Sequence, residues 1–97
     1  MKLTLHPGAE RDLAEAAAFY EREGSPALAA RFILEFKRAS QRIVEHPELG
    51  ASRANGRRGL RLDIFPYTVI YRVDTGSVRI LVVMHQSRHP KHGSDRR

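Results

Sequence analysis

The chain has 97 residues, of which 41% are hydrophobic and 29% are charged, a composition typical of one soluble globular domain. It contains no cysteine, which excludes disulfides and thiolate chemistry. Its N-terminus lacks the pattern of a signal peptide and no segment is apolar enough to span a bilayer, so we expect a cytoplasmic protein with no membrane contact.

The positive charge is concentrated in the second half of the chain. The formal net charge is +6, yet residues 1–50 carry seven Lys and Arg against eight Asp and Glu, whereas residues 51–97 carry ten against three. Such asymmetry favours an anionic partner, either nucleic acid or an acidic protein. A solubilising basic surface would have the same composition, so charge alone does not decide between them.

The first half predicts a short strand and two helices. Residues 2–6 alternate polar and apolar, as a strand does, and Pro7 suits the first turn of a helix over residues 8–23. Gly24 ends that helix, and Ser25 and Pro26 start a second one, which Pro47 ends at His46. The short link predicts an antiparallel helical hairpin.

Each helix has one apolar stripe for a core. The stripes consist of Leu13, Ala16, Ala17 and Tyr20 in the first helix, and Leu28, Phe32, Phe36, Ala39 and Ile43 in the second. Asp12 falls among the charged residues on the opposite side of the first helix, where we expect solvent.

The second half predicts three strands after a loop. Residues 47–59 lack periodicity and are rich in Gly and Arg, so we expect a basic, mobile loop. Strands follow at 60–64, 67–73 and 78–84, with a hairpin turn at 74–77. In the first of these, Leu60, Leu62 and Ile64 alternate and are expected to face the helices.

These elements predict an α+β fold in the order β-α-α-β-β-β. The helical hairpin would cover one face of a mostly antiparallel four-stranded sheet, with the first strand beside the last. On one consistent register, the residues on the open face are Arg61, Asp63, Arg72, Arg79 and His85. We expect a single domain over 1–90 and a basic C-terminal tail over 91–97 whose last residues are disordered.

No standard enzyme motif is present, so candidate chemistry rests on single residues. His85 and Arg88 could serve RNA cleavage, with the imidazole as base and the guanidinium on the phosphorane. The alternative is that His85 bonds to the backbone at the strand end and Arg88 is solvated, and most such residues are structural. His85, His89 and His92 could bind a metal, but no cysteine or nearby carboxylate completes a site. We therefore expect neither a metal ion nor a cofactor.

A set of arginines could bind phosphates or the acidic residues of a protein partner. Its members are Arg53, Arg57, Arg58, Arg61, Arg72 and Arg79. Tyr67 and Tyr71 share one strand face, and residues so placed are more often core than a stacking platform for bases.

Residues 65–73 and 78–90 resemble the C-terminal half of RelE/ParE superfamily toxins. The shared elements are a Y-x-x-x-Y-R-V strand, a tight turn, an apolar strand and an H-x-x-R ending at Arg88. The front half is also similar, and the resemblance covers about residues 2–90. It implies the toxin of a type II toxin–antitoxin system, held in check by an acidic antitoxin and associated with plasmid stabilisation.

Two activities occur in this superfamily, and the residues favour the ParE type, which acts on DNA gyrase. RelE-like enzymes cut mRNA on the ribosome and generally carry an arginine where this chain has Thr68. The resemblance thus implies a gyrase-binding toxin without enzymatic activity, for which Arg61, Arg72, His85 and Arg88 are the expected target-binding residues.

The alternative is a RelE-like ribosome-dependent endoribonuclease. Arg61 and Arg88 would then hold phosphate, and His85 or His92 would act as base. A degenerate member that binds its antitoxin and harms nothing is the third possibility.

Overall fold

The chain folds into two helices and five strands. The computed structural model describes residues 1–97. In chain order the elements are β1 (Lys2–Leu5), α1 (Pro7–Glu23), α2 (Pro26–Glu45), β2 (Ala51–Ser52), β3 (Arg57–Arg61), β4 (Tyr67–Asp74) and β5 (Ser77–His85), with a 3₁₀ turn at Ala54–Gly56. The predicted α+β class and helical hairpin are confirmed, and the sheet has one strand more than predicted.

Both helices begin where the sequence supplies a cap followed by proline. The Nδ1 atom of His6 accepts the Gly8 N–H at 2.8 Å, and the Ser25 hydroxyl accepts the Leu28 N–H at 3.1 Å. Each cap satisfies a donor that the first helical turn leaves without an intrahelical partner. Neither helix combines the length and apolar character that crossing a bilayer requires.

The five strands lie in the order β1-β5-β4-β3-β2. As expected, the first strand pairs with the last, but this pairing is parallel, whereas the other three are antiparallel. The prediction of four strands is wrong because β2 has only two residues, which is too short to show alternation. It pairs with β3 through Ala51 and Gly59, inside the segment that was expected to be a mobile loop.

The third strand is displaced from its predicted position. It covers 57–61 instead of 60–64, and the chain then turns, with the Leu62 N–H donating to the Tyr67 carbonyl at 2.9 Å. Leu60 and Leu62 pack in the core as expected. The expectation for Ile64 is wrong, because alternation stops with the strand and this side chain is 54% exposed.

The core lies between the helical hairpin and one face of the sheet. Phe32 of α2 stacks edge-on against Phe65 and Tyr67, with ring centroids 5.3 and 5.0 Å apart. Tyr71 is fully buried, and its hydroxyl donates to the Pro47 carbonyl at 2.8 Å. The prediction that Tyr67 and Tyr71 belong to the core is confirmed.

A β-bulge in β5 decides which residues face away from the helices. Tyr71 pairs with Ile80 and Ile70 with Val82, so Leu81 is the extra residue. After one inserted residue, every following side chain lies on the opposite face. His85 therefore lies on the helix side, where its ring packs edge-on against Tyr67 with the ring centroids 5.2 Å apart. The prediction that His85 lies on the open face is wrong.

The end of the chain is ordered instead of disordered. Residues 89–97, here called the C-terminal segment, form successive hydrogen-bonded turns. The segment lies on the open face of the sheet, where Gly93 adopts φ +74° and packs so closely on Val82 that a Cβ would lie 2.5 Å from a Val82 methyl. This contact explains how a second apolar cluster, consisting of Ile70, Leu81, Val82 and Met84, is buried on the face away from the helices.

Candidate functional site

Three of the predicted site residues meet at the C-terminal end of β5. Arg61, His85 and Arg88 line an open cleft of about 280 Å³, here called the β5 cleft. Its full lining is Arg53, Arg61, Thr68, Met84, His85, Gln86, Arg88 and Pro90. These residues come from four parts of the chain, which the sheet brings together.

Side-chain and main-chain hydrogen bonds position the side chains of the β5 cleft. Arg61 is the last residue of β3, and its guanidinium donates to the Gln86 side-chain oxygen at 3.2 Å. The Gln86 N–H is anchored on the Pro66 carbonyl at 2.8 Å, and a turn closed by the Arg88 N–H on the His85 carbonyl, at 2.9 Å, places Arg88.

The β5 cleft is cationic. Arg53, Arg61 and Arg88 are all exposed, and no Asp or Glu side chain lines the cleft. Guanidinium groups present forked donors that match carboxylate or phosphate oxygens. The arrangement is therefore suited to binding an anionic surface.

The hydrogen bonds of His85 fix which ring nitrogen is free. Its Nδ1 accepts the main-chain N–H of Ser87 at 3.0 Å and lies 2.8 Å from the Ser87 hydroxyl. In the neutral ring the proton is then on Nε2, because a nitrogen that accepts from a main-chain N–H carries no proton. Nε2 can donate a hydrogen bond to a partner, but it has no lone pair with which to accept a substrate proton.

The neighbouring tyrosine is not a base either. Burial raises the pKa of the Tyr67 hydroxyl and Tyr20 raises it further, which outweighs the opposite effect of Arg88. The Tyr67 phenol therefore stays protonated at neutral pH. The β5 cleft has donors and positive charge but lacks a group poised to remove a proton.

Two predicted site residues lie outside the β5 cleft. Arg72 is four positions farther along β4 than Thr68, and it binds both carboxylate oxygens of Asp74 at 3.0 and 3.2 Å. His92 borders a small adjoining pocket of about 50 Å³ with His85 and Arg88. Its Nε2, however, is 2.9 Å from the carboxylate of Asp12.

Asp12 is the residue that sequence reasoning missed. It was expected at the surface, but it is buried and accepts the Val83 N–H at 3.0 Å and the Arg96 guanidinium at 2.7 Å, besides contacting His92. Burial alone would raise its pKa, but the hydrogen bonds from Arg96, Val83 and His92 hold that pKa below its usual value. The available signal was its position next to Leu13, at the border of the apolar stripe.

The geometry of the sheet explains why a carboxylate is needed there. β1 ends at Leu5 opposite Ile80, so the edge of β5 beyond Ile80 has no neighbouring strand. Asp12 accepts from Val83 and Arg96 donates to the Leu81 carbonyl at 3.0 Å. Together they satisfy the main-chain groups that a longer β1 would have paired.

The histidines considered for a metal site do not converge. His85 and His89 each accept a main-chain N–H two residues later, and His92 contacts Asp12. Within residues 1–97, no group of three or more His, Cys, Asp or Glu side chains has the geometry to hold a metal ion.

Comparison with known proteins identifies the family. No curated protein matches the chain. A solved structure described as the chromosomal ParDE TA system from P. aeruginosa shares the fold, with a TM-score of 0.78 and 23% identity over 88% of this chain and 95% of that one. The model of the ParE toxin of the type II toxin–antitoxin system parDE matches residues 3–90. The chain therefore belongs to the ParE toxin family of type II toxin–antitoxin systems.

Proposed function

We propose that this protein inhibits DNA gyrase by binding it through the β5 cleft, and that a cognate acidic antitoxin neutralises it in the cytoplasm. The observation that carries the proposal is a cationic cleft with three exposed arginines and no general base. Such a site binds an anionic partner without chemical turnover. Membership of the ParE toxin family supports the proposal that the protein with this cleft is a toxin.

The geometry argues against the alternative of mRNA cleavage. Cleavage at a 2′-hydroxyl needs a group that takes its proton and a cation that stabilises the phosphorane. The lone pair of His85 is used by Ser87, and His92 is bound to Asp12. Thr68, which lines the β5 cleft where RelE-like enzymes generally have an arginine, carries no charge.

The antitoxin is expected to cover apolar surface that the toxin leaves exposed. Phe19 on α1, Leu34 on α2 and Ile64 after β3 are 45%, 45% and 54% exposed. A disordered antitoxin segment that folds on binding would bury such side chains, and its acidic residues would meet the basic second half of the toxin.

A supercoiling assay with purified gyrase tests the proposal. Wild-type protein should inhibit supercoiling and trap cleaved DNA. The double variant Arg61→Ala/Arg88→Ala should need at least about tenfold more protein, since each lost charged hydrogen bond is worth about 1.5–3 kcal/mol. The matched control is Arg22→Ala/Arg31→Ala, which removes the same charge from exposed positions on the helices and should inhibit as wild type does.

Other outcomes would redirect the assignment. No inhibition at high excess of the wild-type protein would exclude gyrase as the target. Cleavage of mRNA on translating ribosomes would show that the argument from His85 is wrong. Induced expression without growth arrest would indicate a degenerate toxin.

A further inference from the structure

Three arginines lie side by side across the open face of the sheet. Arg57 of β3 pairs with Arg72 of β4, which pairs with Arg79 of β5. Adjacent strands are about 4.8 Å apart, so this row of guanidinium-bearing positions spans about 10 Å. We call these three residues the arginine row.

The arginine row is only partly neutralised within the chain. Arg72 has a carboxylate partner in Asp74, at 3.0 Å. Arg57 donates only to the main-chain carbonyls of Gly93, Ser94 and Arg96. Arg79 donates to the Thr4 hydroxyl and to the main-chain oxygen of Arg97. Burial lowers the pKa of Arg57, and the charges of Arg72 and Arg53 lower it further.

Such a row costs stability, because like charges directly opposite one another on adjacent strands repel. Uncharged residues at the three positions of the arginine row would avoid that cost. The repulsion is relieved when an anion binds, which gives the arrangement a physical reason.

A cleft beside the arginine row provides space for an anion. It has a volume of about 460 Å³ and lies between the row and the C-terminal segment. Its lining contains no apolar residue and consists of Asn55, Arg57, Arg72, Ser94, Asp95, Arg96 and Arg97. The lining thus includes four arginines and one carboxylate, although the Arg96 guanidinium is itself bonded to Asp12.

This arginine cleft and the β5 cleft lie at different ends of the sheet face, and a third cleft lined by residues of both lies between them. Arg57 and Arg61 are the two ends of β3, and four residues of strand correspond to about 13 Å. The two clefts share no lining residue. The toxin therefore presents two cationic sites, one at each end of the same sheet face.

We propose that the arginine row and its cleft bind the phosphate backbone of duplex DNA, so that the toxin contacts DNA as well as its protein target. The inference rests on the proposed function, because gyrase acts on duplex DNA. Forked guanidinium groups suit phosphate oxygens, and phosphate contacts need no base recognition.

The absence of aromatic side chains from this face favours a duplex over a single strand. Tyr67, Phe65 and Tyr71 all belong to the helix-side core. Proteins that hold single-stranded nucleic acid combine positive charge with exposed aromatic rings on which bases stack. The arginine row offers the charge without the rings.

The test is direct binding to a fluorescent duplex of about 20 base pairs, without gyrase, measured by anisotropy across a salt series. Wild-type toxin should bind with an affinity that falls linearly with the logarithm of salt concentration. Arg72→Ala/Arg97→Ala should weaken binding about tenfold per arginine near 100 mM salt and reduce the slope by about 2. Arg57 is left intact because it holds the C-terminal segment.

Two controls make the result specific. Arg72→Lys/Arg97→Lys keeps the charge and should retain most of the affinity. Arg22→Ala/Arg31→Ala removes the same charge from the helices and should bind DNA as wild type does. An equal loss in this control variant would overturn the proposal, because it would reflect net charge alone.

The remaining outcomes also test the DNA-binding proposal or the proposed function. No salt-dependent binding of wild type to the duplex overturns the proposal, and so does tighter binding to single-stranded RNA of equal length. If the Arg72→Ala/Arg97→Ala variant loses antitoxin affinity and keeps DNA affinity, the row is a protein contact instead. A toxin that binds DNA but does not inhibit gyrase would contradict the proposed function and leave the DNA contact standing.

Discussion

Replacing Asp12 with alanine should destabilise the fold more than any change at an exposed acidic residue. Its carboxylate joins α1 to the unpaired edge of β5 and to the C-terminal segment, through Val83, Arg96 and His92. Arg96 connects the same three parts from the C-terminal segment, because it donates to Asp12 and to the Leu81 carbonyl. The loss of the Asp12 carboxylate therefore removes several interactions together.

The magnitude follows from the groups that would be left without partners. A buried main-chain N–H at Val83 without an acceptor costs about 1–3 kcal/mol. Arg96, whose side chain is 13% exposed, would lose its carboxylate partner while it is largely buried, at a further cost of about 1 kcal/mol. We expect a loss of about 3 kcal/mol in the free energy of unfolding, which for a domain of this size lowers the Tm by more than about 10 °C.

Urea unfolding followed by circular dichroism measures this loss. The control is Glu21→Ala, an exposed position on the same helix, which should change stability by less than about 0.5 kcal/mol. Asp12→Ala/Arg96→Ala should lose less than the sum of its two single variants, because they share one contact. A loss below about 1 kcal/mol in Asp12→Ala would refute the reasoning, since an unpaired Val83 N–H alone should exceed it.

The pH dependence gives an independent check on Asp12. Its pKa is lowered in the folded state, so its contribution is fully present above the unfolded pKa of about 4 and is lost as the pH falls through the folded pKa. Asp12→Asn lacks this titration. Below about pH 4, wild type should therefore lose stability more steeply than Asp12→Asn, and parallel curves would contradict the assignment.

Two further predictions concern single hydrogen bonds. Burial, followed by nearby arginines, lowers the pKa of His6, whose neutral ring caps α1 through Gly8. His6→Ala should therefore lower the free energy of unfolding by about 1 kcal/mol above pH 6.5. In thermal melts, the stability difference between wild type and His6→Ala should shrink as the pH falls through the folded pKa of His6, and an unchanged difference would exclude the cap. The Tyr71 hydroxyl accepts the buried Gly50 N–H at 2.9 Å, so Tyr71→Phe should lose about 1–3 kcal/mol in urea unfolding, and a loss below about 0.5 kcal/mol would show that water replaces it.

Local signals in the sequence were sufficient for the helical hairpin. The caps, the prolines at 7 and 26 and the apolar stripes depend on neighbours within one or two turns. Both helices accordingly begin and end within a residue or two of their predicted limits. The turn at Thr75 and Gly76 was found for the same reason, because Gly76 at φ +73° is a local requirement.

The candidate site was only partly predictable. The proximity of Arg61 and Arg88 depends on strand pairing, which the expected sheet order provided. The sequence could not show that Arg72 lies away from Arg61 and Arg88, because the position of Arg72 along the sheet follows only from the strand register. His85 was placed on the wrong face, since regular alternation cannot reveal one inserted residue in an apolar run such as β5.

By itself, the sequence determined both helices, the hairpin of the last two strands, the one-sided burial of both helices and the basic character of the second half, because these depend on residue type and short-range spacing. Only the tertiary structure decided the bulge at Leu81, the burial of Asp12 and the ordered C-terminal segment. The physical reason is that β1 ends before β5 does. The main-chain groups left at that edge require polar partners, and residues 12 and 96 supply them from positions that are 84 residues apart in the chain.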